Sequence, residues 1–140
     1  MGSVELFDHT ADVGLRVRAV DLDDLFRTAA EGLFDLIVAN REAIHPSRVD
    51  AIELEAETTA DLLVAWLDEL LFRSETEHRV YGEFAVRVAS DGRSLVAEVG
   101  GEAIDRDRHV LDHEVKAITR HALRVEREAG GWIAELILDI

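Results

Sequence analysis

Hydrophobic and polar positions alternate from Val13 to Val20, with Val13, Leu15, Val17 and Ala19 on one side and Arg16 and Arg18 on the other. That two-residue period predicts a strand buried on one face. The period then changes. Leu22, Leu25, Phe26, Ala29, Leu33, Leu36 and Ile37 recur at helical spacing, so a helix is expected over about residues 22–38, burying one stripe. Asp21 suits its N-cap, and Asp23 and Asp24 suit the positive end of its dipole. After a loop around Asn40–Ser47, Ile52, Leu54 and Ala56 alternate with Glu53, Glu55 and Glu57, which reads as a strand with one acidic, wet face. Thr58 or Thr59 caps a second expected helix at about 60–75, whose apolar side carries Leu63, Trp66, Leu67, Leu70 and Leu71.

The second half reads as β-rich. Phe84, Val86 and Val88 alternate up to Ser90-Asp91-Gly92-Arg93, a hairpin turn signal, and Leu95 to Val99 returns as far as Gly100-Gly101. Segment 104–116 is polar and irregular, a candidate active loop. Ala117–Glu126 and Trp132–Asp139 then form a further hairpin about Ala129-Gly130-Gly131. The last strand is apolar on both faces, as a central strand covered by helix requires. The order β-α-β-α-β-β-β-β predicts one α+β domain over residues 1–140. Its expected form is a two-layer sandwich, a mixed or mainly antiparallel sheet of about six strands packed with two helices.

Bulk composition narrows the function classes. With no cysteine, thiolate metal sites, disulfides and cysteine nucleophiles are excluded. No apolar run approaches a membrane span, and the N-terminus lacks a basic and apolar signal segment, so a cytoplasmic protein is expected. The formal net charge is −15, which repels phosphate backbones and argues against autonomous nucleic-acid binding. The basic residues include a single lysine, Lys116, a bias that suits a GC-rich genome or a salt-adapted host. The charge suits a solvated surface first, and an acidic partner for a basic protein as the modest functional reading.

Candidate chemistry falls in three places. Asp8-His9-Thr10-Ala11-Asp12-Val13-Gly14 sets two carboxylates and an imidazole directly before a strand. Polar groups so close to a core need a cation, hydrogen-bond donors or solvent. His109, Asp112, His113, Glu114 and Lys116 cluster in the polar loop, and Asp139 closes the last strand. Clustered oxygen donors without thiolate favour calcium or magnesium, with manganese possible, and a histidine donor would tilt the site towards manganese or zinc. A helix through His109 and His113 would place both on one face as a zinc pair. Each group also has a plainer reading: Asp8 and Thr10 as turn caps, Asp139 as a solvated acid, Glu114 and Lys116 as a surface ion pair. A phosphate-cradling glycine loop and a Gly-x-Ser-x-Gly elbow are both absent, so no self-sufficient catalytic constellation is visible.

Taken together, four segments resemble the archease family over essentially the whole chain: Asp8–Gly14, Trp66-Leu67-Asp68-Glu69-Leu70-Leu71, His113-Glu114-Val115-Lys116-Ala117-Ile118-Thr119, and Trp132–Ile140. The resemblance implies a non-enzymatic accessory protein of the RtcB-type RNA ligase. That ligase joins RNA ends bearing a 2′,3′-cyclic phosphate or 3′-phosphate to a 5′-hydroxyl in tRNA splicing and RNA repair, using GTP and manganese. An archease promotes guanylylation of the ligase histidine, allows multiple turnover and relaxes nucleotide requirements. By motif, the implied divalent-metal ligands are Asp12, Asp139 and Glu114, with Asp8, His9, His113, Lys116 and Thr119 in supporting or partner-contacting positions. Calcium is the expected ion in vitro, with magnesium or manganese as alternatives, and a monomer or weak oligomer is expected. Two other functions stay open. A stand-alone metal-dependent phosphoester hydrolase would turn over without a partner, and a chaperone-like protein-modulating module would rely on an exposed apolar patch instead of the acids.

Overall fold

The computed structural model describes residues 2–9 and 12–140, with Asp8 and His9 described through their backbone alone. Thr10 and Ala11 of the first motif lie outside the described residues. The elements run β1 (Ser3–His9), β2 (Asp12–Ala19), α1 (Leu22–Ile37), β3 (Arg48–Glu55), α2 (Thr59–Glu77), β4 (Arg79–Val88), β5 (Ser94–Ala103), β6 (Ala117–Ile118), β7 (Arg124–Glu128) and β8 (Gly131–Asp139). All strand pairings are antiparallel. The α+β class with two helices holds, but the strands number eight among the described residues and divide into two sheets instead of one sheet of about six. The larger sheet runs β1-β2-β8, with β6 and β7 both pairing the far side of β8, and the smaller runs β3-β5-β4.

Both helices touch both sheets, which is why two sheets form. One contiguous apolar cluster joins Leu15, Val17, Leu136 and Leu138 of the larger sheet to Ile52, Phe84, Leu95 and Val99 of the smaller through the helical layer. The Phe34 ring of α1 stacks on Phe84 of β4 at 5.8 Å, and Trp66 of α2 meets Phe84 edge-on at 6.4 Å. The Trp66 Nε1–H, which burial would otherwise leave unsatisfied, donates to the Phe26 carbonyl at 3.0 Å.

Helix α1 therefore buries more than the expected single stripe. Thr28, Ala30, Gly32 and Phe34 are buried as well, leaving Asp24, Arg27, Glu31 and Asp35 along a narrow outward line. Its N-cap is as read from the sequence: the Asp21 carboxylate accepts from the Asp24 N–H at 2.8 Å. Thr58 caps α2 in the same way through the Asp61 N–H at 3.0 Å.

Three further differences bear on the site. Strand β1, unanticipated, extends the larger sheet by one edge. Strand β5 runs through Gly100-Gly101 to Ala103. The expected strand Ala117–Glu126 is broken by a turn at residues 119–123, where Ala122 takes a φ of 57°. That break lets one continuous strand, β8, pair two short ones end to end.

Candidate functional site at the end of the larger sheet

Cross-strand register brings three of the sequence motifs into a single row. His9 is the partner of Asp12, Asp12 of Asp139, and Asp139 of Ala117, across β1, β2, β8 and β6. Residues directly opposite in a sheet point to the same face, with Cβ atoms about 4.5–5.5 Å apart. Asp12 and Asp139 therefore project together, both partly buried, on the side of the sheet away from the helices. Facing carboxylates repel each other unless positive charge lies between or beside them.

The row is locked from the β6 side. The Lys116 N–H donates to the Asp139 carbonyl at 2.7 Å, and the Thr119 N–H and hydroxyl both reach the Ile137 carbonyl, at 3.1 and 2.7 Å. The Thr119 side chain is thus committed to the backbone: it positions β6. Lys116 is exposed, and it joins the row through this backbone bond. Glu114 stands exposed two residues earlier. Among the described residues no three histidine, aspartate or glutamate side chains converge on one cation-sized space, so Glu114 is not gathered to Asp12 and Asp139 here. The side chains of Asp8 and His9 lie outside the described residues.

The approach of residues 104–116 to this row is built around His109 by four residues outside the sequence candidates: Glu102, His45, Arg108 and Asn40. The segment holds no helix, so the zinc pair His109/His113 does not form. His109 is buried instead. Its Nδ1 accepts from the Asp105 N–H at 2.9 Å, which fixes Nε2–H as the donor to Glu102 at 2.9 Å. Glu102 also accepts from the His45 N–H at 2.7 Å and from the Arg108 guanidinium. Burial pushes the Glu102 carboxyl upward, but the His45 N–H, Arg108 and His109 outweigh it and hold the group at about 2. Beyond this anchor, Asn40 brackets the chain by donating to the Arg108 carbonyl and accepting from the Val110 N–H. Asp112 and His113 then donate their N–H groups to the Ile37 and Leu36 carbonyls, each at 2.9 Å. These satisfy two of the carbonyls a helix end leaves without partners. His113 thus meets α1 through its backbone, while its side chain is exposed beside Asp112 at 3.9 Å.

The outer face next to the acidic row is a ladder of alternating charge. Arg16 donates to Glu135 at 2.6 Å and to Glu5 at 3.2 Å, while Arg124 flanks Glu135 at 3.9 Å. Nearest the row, the Phe7 ring lies over Gly14, and the Arg16 guanidinium stands over that ring 4.6 Å from its centroid. A Cβ on Gly14 would fall inside that ring, so the motif's glycine is there for packing.

A family model described as the Archease protein family matches residues 5–140. The chain belongs to the archease family. The archease of Methanopyrus kandleri is 39% identical over 138 residues, covering 97% of this chain and 98% of that one. The archease of Pyrococcus furiosus is 38% identical over 139 residues, with 97% of each covered. The solution structure of Methanobacterium thermoautotrophicum protein 1598 superposes with a TM-score of 0.80 at 31% identity, covering 98% of each chain. The crystal structure of an archease from Thermotoga maritima, described as a possible chaperone, shares the fold with a TM-score of 0.61 at 15% identity, covering 97% of this chain and 96% of that one. No described helix is long and apolar enough to cross a membrane.

Proposed function

We propose that this archease is a non-catalytic accessory protein of an RtcB-type RNA ligase, acting in tRNA splicing and RNA repair, and that the Asp12–Asp139 row is the end it presents to the ligase. The observation that supports this reading is the register itself. The family motifs at both ends of the chain and the Lys116-Ala117 segment converge on one row of one sheet, although over 100 residues separate Asp12 from Lys116.

Asp12 and Asp139 would hold a divalent ion, with Glu114 carried in by movement of its exposed loop. Their all-oxygen donors suit calcium, magnesium or manganese. Such an ion would neutralise phosphate charge during guanylylation of the ligase. The chain's own residues have separate tasks. The two aspartates would offset the ion's positive charge, Lys116 offers the partner an exposed cation, and the Thr119 and Lys116 bonds to β8 keep the row rigid. A net charge of −15 suits docking on a basic, RNA-binding enzyme in the cytoplasm, with encounter rates that fall as salt rises.

The test is guanylylation and RNA ligation by the cognate ligase, with and without this protein and its Asp139→Ala variant. Stimulation by the wild type that the variant loses supports the reading. Absence of stimulation at low and high salt would overturn it in favour of a partner-independent phosphoester hydrolase.

A further inference from the structure

The smaller sheet carries a second surface that the acidic row does not use. Its inner face packs on the helices, and its outer face lies open. On that face Ala51 and Ala85 flank Glu98, while Glu53 and Arg87 flank Val96, each set a row of cross-strand partners. Together with the outward line of α1 they enclose a groove of about 750 Å³, walled by Asp23, Asp24 and Arg27. A second hollow of about 480 Å³ shares Ala85 and Glu98 and continues the trough past Glu31, Glu83 and Val49.

Two properties of this trough point to what fills it. The floor is apolar and low, because alanines sit where longer side chains would stand, and Val96 and Val49 are 49% and 57% exposed. The rim is acidic. Glu53, Glu83 and Glu98 take part in no hydrogen bond or ion pair among the described residues; of the two arginines lining the groove, Arg27 is held between Asp24 and Glu31, and Arg87 alone stands against these three carboxylates. Uncompensated carboxylates around exposed apolar side chains repel nucleic acid, an anionic lipid surface and a second copy of a chain of charge −15. They attract a cationic chain that also brings apolar side chains.

We propose that this trough is a docking site for a basic segment of a partner protein, with lysine or arginine spaced around short apolar side chains. The basic groups meet Glu53, Glu83 and Glu98, and the apolar ones cover Val49, Ala51, Ala85 and Val96. The site lies on a different sheet from Asp12 and Asp139, and its existence does not depend on the ligase reading.

The probe is a synthetic octapeptide of alternating lysine and valine, titrated into the ¹⁵N-labelled protein, with an all-lysine octapeptide for comparison. Chemical-shift changes are expected to centre on Ala51, Ala85, Val96 and Arg27. Glu98→Lys is expected to weaken binding about tenfold, and Val96→Thr several-fold, both with unchanged melting. Glu75→Lys, on the exposed surface of α2, controls for total charge. Equal weakening by Glu75→Lys, equal binding of the all-lysine peptide, or shifts scattered over other acidic faces would overturn the proposal. A concentration-dependent dimer abolished by Glu98→Lys would also overturn it, assigning the face to a second copy.

Discussion

Replacing Glu102 with glutamine removes one charge from the anchor of residues 104–116 while keeping the side chain's size. The carboxylate serves three donors, from His45, Arg108 and His109, at a site only 9% exposed. A glutamine amide retains one acceptor and turns an N–H₂ towards groups that are themselves donors. In the folded chain the carboxyl titrates at about 2, against an ordinary value of 4.5. Each tenfold change in proton affinity is worth about 1.4 kcal/mol, so the displacement corresponds to at most about 3 kcal/mol of stability at neutral pH. Arg108 is 37% exposed and partly screened, which brings the expected loss to about 2 kcal/mol. Because the unfolded chain binds this proton more readily, the contribution is complete above about pH 5 and disappears as pH falls towards 2. Urea unfolding from pH 7 to pH 3 measures both quantities. Wild type should lose this increment on the acid side, and Glu102→Gln should start about 2 kcal/mol lower with a correspondingly shallower decline. A variant within 0.5 kcal/mol of wild type at pH 7, using roughly that figure as the reach of an ordinary surface substitution, would refute the anchoring role.

Three other substitutions probe the same frame. Gly14→Val forces the Phe7 ring off the sheet and should cost about 1–3 kcal/mol by denaturant titration. Trp66→Phe leaves the Phe26 carbonyl without its buried donor and removes ring volume, a loss of about 2 kcal/mol by the same titration. Asp139→Asn relieves carboxylate repulsion in the row, so without added metal its melting temperature should equal or exceed that of wild type. Millimolar calcium should then raise the melting temperature of wild type but not that of the variant, as read by thermal unfolding.

Much of this arrangement was legible in the sequence, for reasons that differ by element. Alternation at Val13–Ala19 and the capping residues Asp21 and Thr58 are local signals, and the structure follows them closely. That Asp12 and Asp139 meet is implied in the sequence only by the family resemblance, since pairing between chain ends leaves no local trace; register places them opposite each other. The division into two sheets was hidden because the inward side chains of β2 and β5 look alike in hydrophobic pattern, and only the helices packed between them separate the two. Strand β1 was hidden by its edge position: Val4 and Leu6 are exposed, so their alternation with Glu5 was too short to register. Glu102 escaped notice as one more acid in an acidic chain. Its partner His109 was visible, but the four-residue spacing to His113 suggested a helix that the loop's bonds to Asn40 and to the end of α1 preclude.

The most direct test of the central claim is a double-substitution cycle in the ligase guanylylation assay, comparing Asp12→Asn, Asp139→Asn and the combined variant with wild type. If the row acts as one site, each single variant should abolish most of the stimulation, and the pair should add no more than about 0.5 kcal/mol to the loss. Folded single variants that stimulate like wild type, or losses that simply add, would contradict it.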